Sequence, residues 1–183
     1  MNIFNIINFF IILLNMCNTH SILLRHGDTN KDNTINFKKY DTKAKEISKN
    51  IYDIIKENNI IKKIIFFSSP EKRCIDTLKL LKNNLQLNDI KNKFDIKVNK
   101  NLIRWNKKGY EAREDSKKRA LKYGKKLKKF FSKNDNVLIV YCTHSSILPS
   151  IIEGINHKNP GYIKEGSMFY YSADKKDFIL YDY

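Results

Sequence analysis

Cysteine is scarce in this 183-residue chain: Cys17, Cys74 and Cys142 are three, widely spaced, and form no CxxC pair. That excludes a disulfide framework and gives no sign of a zinc site, so the three read as free structural thiols. Long apolar runs are missing too. The most apolar stretch, Ile3 to Leu14 (IFNIINFFIILL), is a dozen residues broken by Asn5 and Asn8, short of the roughly 20 that a spanning helix needs. Acidic residues are outnumbered, 19 Asp or Glu against 35 Lys or Arg. The chain therefore carries a net charge of +16 and a strong positive potential that favours anionic partners. No internal repeat and no linker divides the sequence, which excludes a solenoid or a string of domains and leaves one domain with room for a sizeable core.

The positive charge is concentrated. Lys91 to Lys133 holds 17 Lys or Arg and four acids, Asp95, Glu111, Glu114 and Asp115, which is +13 of the total. One face or lobe is therefore cationic. Basic residues are not interleaved with aromatics in the way a base-stacking platform requires, so nucleic acid is set aside as the primary partner. The same lysines also fit a solvated helix face. Trp105 reads as a packing residue.

Residues 1–19 stand apart from the rest. Their apolar stretch has the length of the hydrophobic part of a signal peptide or of an anchor, which would make the protein secreted or membrane-associated. No Lys or Arg precedes it, however, and NMCNT is a poor cleavage site. A cytoplasmic protein with an apolar extension stays open beside the first reading. Any membrane contact would come through this segment alone, and residues 20–183 form the domain.

From Ser21 onward strands and helices alternate. Ser21-Ile22-Leu23-Leu24 is a buried strand ending in Arg25-His26-Gly27-Asp28-Thr29, and a polar loop follows. Asp41-Thr42 caps a helix running to about Glu57, with Ala44, Ile47, Ile51 and Ile54 at helical spacing. Ile60 to Phe67 is a second strand. Ser69 then caps, and Pro70 opens, a helix with Arg73 in its first turn. Phe94 to Val98 is a weaker third strand, and Glu111 to Phe131 a basic helix whose buried stripe is Ala120, Gly124, Leu127 and Phe131. Asn136 to Cys142 is a strong buried strand that stops at Thr143-His144, and a helix starts at Ile147. Gly166 to Ala173 and Phe178 to Tyr183 are expected as two edge strands. This alternation predicts an α/β protein, a three-layer α/β/α sandwich around a mostly parallel sheet.

Three buried strands thus end in groups that can handle phosphate: Arg25 and His26 after the first, Arg73 after the second, His144 after the last. Strand ends of an open α/β sheet converge on one crevice. Two guanidiniums and two imidazoles there can neutralise a phosphoryl group and hold its oxygens. Glycine at 27 would let the backbone approach a bound group closely. His20 and His157 lack such support and read as structural or surface residues, while Asp28 and Thr29 shape the loop.

With these motifs, Arg25-His26-Gly27-Asp28-Thr29, Ser68-Ser69-Pro70-Glu71-Lys72-Arg73 with Thr77 behind, and VLIVYCTH ending at His144, the chain resembles the histidine phosphatase superfamily, also called phosphoglycerate mutase-like. The likeness runs from His20 to the C-terminus. It implies a phosphatase acting on an anionic phosphorylated substrate, with His26 as nucleophile forming a phosphohistidine and with Arg25, Arg73 and His144 binding the phosphoryl oxygens. It implies no metal and no cofactor. His26 would have to be neutral, its other nitrogen donating to a backbone carbonyl.

One departure matters. Many members carry a proton-donating glutamate after the third strand, where this chain has Arg104. Glu111 is the stand-in donor, with Glu114 beside it. Loss of the usual acid predicts a steep preference for good leaving groups and argues against mutase activity. It also leaves a second reading, a catalytically weak relative that binds phosphorylated ligands or partners without turning them over. The physiological substrate and the oligomeric state are not written in these motifs.

Overall fold

The computed structural model describes residues 19–58, 61–85, 95–104, 111–131, 136–172 and 175–183. The apolar segment before Thr19, with Cys17, and also Trp105 lie outside the described residues. Six strands form one sheet: β1 (His20–Arg25), β2 (Lys63–Ser68), β3 (Ile96–Val98), β4 (Val137–Thr143), β5 (Met168–Ser172) and β6 (Asp177–Tyr181). Four α-helices accompany them among the described residues: α1 (Phe37–Glu57), α2 (Lys72–Asn84), α3 (Arg113–Phe131) and α4 (Leu148–Asn156). The strand order is β3-β2-β4-β1-β5-β6. The first four strands in that order run parallel, and β5 is antiparallel to both β1 and β6.

Alternation along β1 explains the layers, because successive side chains leave a strand on opposite faces. Ile22 and Leu24 pack with Ile47 and Ile51 of α1 and with Leu78 and Leu81 of α2. Leu23 points the other way, into Ala120 and Leu127 of α3 and Ile151 and Ile155 of α4. The result is the three-layer α/β sandwich that the sequence predicts. Helices α3 and α4 meet backbone to backbone. A Cβ on Gly124 would lie 2.2 Å from the Ile151 carbonyl oxygen, and one on Gly154 2.4 Å from that of Leu121. No helix among the described residues is long and apolar enough to cross a membrane.

Three local expectations are corrected. Helix α1 begins at Phe37, four residues before the predicted Asp41, because the Asn36 side chain accepts the Lys39 N–H at 3.1 Å and caps the helix there. Helix α2 begins at Lys72 with Glu71 at the cap position, and Glu71 makes no side-chain cap bond. Ser69 and Pro70 precede it, since the Ser69 N–H still bonds to Cys142 and continues the sheet. Strand β5 is interior, not an edge. Its residues are buried on both faces, Met168 and Tyr170 in one packing layer and Phe169 and Tyr171 in the other, and β6 pairs along its outer side.

Register places the ends of the central strands side by side. Arg25 stands opposite Thr143, and Ser68 opposite Cys142. The residues that follow β1, β2 and β4 are therefore delivered to one level of the sheet.

Candidate functional site

His26 leaves β1 with its N–H on the Thr143 carbonyl at 3.0 Å, and its own carbonyl accepts from Gly166 at 3.2 Å. Gly166 has a φ of 83°, a left-handed conformation that favours glycine. The buried His26 ring places Nδ1 2.9 Å from the Gly27 carbonyl oxygen. A carbonyl can only accept, so Nδ1 carries the proton and Nε2 keeps a free lone pair. Burial holds the His26 pKa down to about 4, against the Gly27 bond that raises it, and the charges of Arg73, Arg25 and Arg104 push it the same way as burial. The ring is neutral at physiological pH.

His144, just past β4, lies with its ring centroid 5.2 Å from that of His26. Its Nε2 is 2.9 Å from Ser69 Oγ and 3.3 Å from Glu71 Oε1. A carboxylate is an acceptor, so here the proton belongs on Nε2, the opposite assignment from His26. Burial again dominates the shift, which takes the His144 pKa to about 2, and the neighbouring His26, Arg73, Arg104 and Arg25 add to it. Cys74 Sγ packs 3.5 Å from Nε2.

The two guanidiniums flank this pair. Arg73 Nη2 donates to Glu71 Oε2 at 2.7 Å and Nη1 reaches Asn33 Oδ1 at 3.4 Å. Arg25 Nη1 donates to the Ile163 carbonyl and to the Tyr162 hydroxyl, Nη2 meets Glu165 at 3.3 Å, and the guanidinium lies over the Tyr162 ring. The Nε of each arginine is buried with no acceptor among the described residues. Buried unpaired donors are costly, and two of them on cations beside two imidazoles fit a cradle for an anion. Arg104 adds a third cation, with Nε 3.0 Å from Glu71 Oε1. The structure thus brings His26, His144, Arg25 and Arg73 together, as their positions at strand ends suggest.

Other expectations change. Glu111 Oε1 and Oε2 accept from Arg119 Nε and Nη2 at 2.9 and 2.8 Å. Those hydrogen bonds hold its pKa below the usual carboxylate range. Arg119 also donates to the Asn101 and Ile103 carbonyls, which makes Glu111 part of a clamp on the loop before α3. Glu114 is paired with Lys117 on the surface. Gly27 is required by packing as well: a Cβ there would lie 2.5 Å from the buried Tyr40 ring, which also lies against Gly166. Asp28 is gripped by Lys39 and Lys43, at 2.9 and 3.3 Å, and Thr29 bridges to Ile35, so both shape the loop. His20 lies at the far end of β1, with Nδ1 2.6 Å from the Tyr170 hydroxyl, and His157 takes a left-handed conformation capping α4.

Glu71, Ser69 and Cys74 went unassigned in the sequence, although all three fall in the segment around Arg73. A buried Thr77 also gains a role: its Oγ1 accepts the Gly27 N–H at 3.0 Å and donates to the Arg73 carbonyl at 2.7 Å, tying the segment after β1 to helix α2. Beside the cradle opens a cavity of about 580 Å³, lined in part by Ser145 and Ser146 next to His144, by Tyr162 under Arg25, and by Arg113, Lys117 and Lys118 of α3. Among the described residues no group of His, Cys, Asp and Glu is arranged to hold a metal ion.

No protein-family model matches this sequence, and no curated protein is similar to it in sequence. Solved structures are similar in fold. A phosphoglycerate mutase from Bacillus anthracis matches with a TM-score of 0.60 at 13% identity, over 91% of this chain and 92% of that one. A phosphoserine phosphatase mutant from Entamoeba histolytica, in complex with phosphoserine, matches with a TM-score of 0.58 at 15% identity, over 90% and 95%. The protein histidine phosphatase SixA, complexed with tungstate, matches with a TM-score of 0.55 at 11% identity, over 88% and 94%.

Proposed function

The chain has the phosphoglycerate mutase-like fold of the histidine phosphatase superfamily, and from that premise we propose that it is a phosphatase of this type, hydrolysing phosphate monoesters or related phosphoryl compounds through a phosphohistidine on His26. The observation that carries the reading is that two imidazoles 5.2 Å apart have hydrogen-bond partners that assign their protons to opposite nitrogens. His26 presents a lone pair on Nε2, because Nδ1–H is held by Gly27. His144 presents an N–H, because Nε2 faces Ser69 and Glu71. A nucleophile and a hydrogen-bond donor for the phosphoryl oxygens thus face one space, with Arg25 and Arg73 to neutralise its charge.

In the first step the His26 Nε2 lone pair attacks phosphorus and the bond to the leaving oxygen breaks. In the second, water attacks the phosphohistidine and the electron pair of the P–N bond returns to Nε2. Arg25, Arg73 and the His144 N–H bind the three oxygens that carry charge through both steps. The side chains supply the positive charge, so this reading needs no metal and expects activity to withstand chelation. The fold neighbours in complex with phosphoserine and tungstate support an anionic phosphorylated substrate, whose leaving group would extend into the cavity between Tyr162 and α3.

Mixing with substrate labelled in the phosphoryl group, then quenching in denaturant at alkaline pH where phosphohistidine survives, tests the reading. Label is expected on His26 of the wild type and on none of the His26→Ala variant. Binding of phosphorylated ligands without trapped label would favour the catalytically weak alternative.

A further inference from the structure

Hydrolysis of an unactivated ester needs a proton for the departing oxygen, and both Glu111 carboxylate oxygens are turned to Arg119 rather than to the cradle. Glu71 is better placed. Its carboxylate touches three groups of the cradle at once: Arg73 Nη2 at 2.7 Å, Arg104 Nε at 3.0 Å and His144 Nε2 at 3.3 Å. Two other carboxylates approach the centre, and both are committed elsewhere. Glu165 lies against the outer side of Arg25 beside Lys43, and Asp28 is held by Lys39 and Lys43. Among the described residues only Glu71 joins an imidazole of the pair to a guanidinium of the cradle.

The contacts of Glu71 are those a phosphoryl group would make. A carboxylate bridging Arg73, Arg104 and His144 occupies donors that would hold a substrate anion. An arriving phosphoryl dianion competes for the same donors with twice the charge. Once it takes Arg73 and the His144 N–H, the carboxyl group is released from both beside the bound phosphoryl group, where it can take up a proton from solvent.

We infer that Glu71 is the residue that protonates the leaving oxygen in the phosphatase reaction proposed above, on which this inference rests. In the first step the His26 lone pair forms the P–N bond, the pair of the breaking P–O bond goes to the leaving oxygen, and the Glu71 carboxylic proton is transferred to it. In the second, the Glu71 carboxylate takes a proton from the attacking water as the P–N bond breaks, which returns the acid to its starting form. Arg104, 38% exposed, steers the carboxylate between these positions. This replaces the steep leaving-group dependence expected of a chain without an acid: the wild type should hydrolyse alkyl phosphates nearly as readily as aryl phosphates.

The test is a comparison of wild type, E71Q and E71D on p-nitrophenyl phosphate, phenyl phosphate and phosphoserine. E71Q should lose about 10²- to 10⁴-fold in kcat/KM on phosphoserine and less than about 10-fold on p-nitrophenyl phosphate, the signature of a missing general acid. E71D should recover part of the alkyl activity. KM of E71Q should not rise, since an internal competitor for Arg73 has been removed. Equal loss on all three substrates, or none, overturns the assignment. Trapped label on His26 of E71Q after p-nitrophenyl phosphate shows that the cradle is intact. If the wild type itself traps none, the parent reading has failed; if it does and E71Q leaves the leaving-group slope unchanged, only the role of Glu71 has.

Discussion

The ends of β1 and β4 carry the same residue type and do opposite things with it. Both histidines are buried, adjacent, and shifted far below the ordinary imidazole range by burial. What separates them is one hydrogen-bond partner each. A backbone carbonyl fixes the proton of His26 on Nδ1 and bares Nε2, whereas a hydroxyl and a carboxylate draw the proton of His144 onto Nε2. The fold supplies two equivalent strand ends, and the neighbours decide which imidazole bares a lone pair and which presents an N–H.

Breaking the symmetry at one end should expose the difference most. His144→Ala should lower kcat by about 10²- to 10³-fold, the usual cost of one transition-state donor, while label still accumulates on His26. Rapid-quench measurement of trapped label beside steady-state rates checks it, and a variant that traps none would make the two ends equivalent.

Acid sharpens the comparison next. The unfolded chain binds protons at both histidines near pH 6.5, and the folded chain refuses them until about pH 4 at His26 and about pH 2 at His144. Between those limits the unfolded state holds more protons, so stability falls as pH falls. His26 alone contributes about 3 kcal/mol that is present above pH 6.5 and lost by about pH 4. Urea unfolding from pH 7 to pH 4 should show this slope, and His144→Gln should flatten it by the share of His144. A wild-type stability independent of pH over that range would contradict the neutral buried pair. The kcat/KM profile, corrected for ionisation of the substrate, should likewise stay level well below pH 6.

The smallest effect concerns the tie between helix α2 and the segment after β1. Thr77→Val keeps the shape but strips the acceptor from the buried Gly27 N–H, which should cost about 1–3 kcal/mol in urea unfolding. Activity should fall more than stability alone explains, because His26 precedes the loosened peptide.

The strand ends were legible in the sequence because apolar runs that stop at Arg-His or Thr-His are a one-dimensional signal. Helix starts were less so: Asp41-Thr42 has the composition of a cap, but Asn36 is the residue whose side chain meets a free N–H in space. The interior place of β5 depends on β6 pairing beyond it, a long-range fact with no local mark. The same holds for the carboxylates. Glu111 and Glu71 look alike in the chain, and only the fold shows that one faces Arg119 and the other Arg73, Arg104 and His144.

Tyr40 comes from the first turn of α1, and its ring fills the space that side chains at 27 and 166 would otherwise claim. A Cβ at 27 would evict the ring, one at 166 would press on it at 3.2 Å from a left-handed backbone, and trimming the ring opens a hollow behind the His26 peptide into which solvent can enter. A wetter His26 would hold its proton at higher pH and lose its lone pair, so an aromatic side chain behind the peptide helps set the acidity down to which His26 stays neutral.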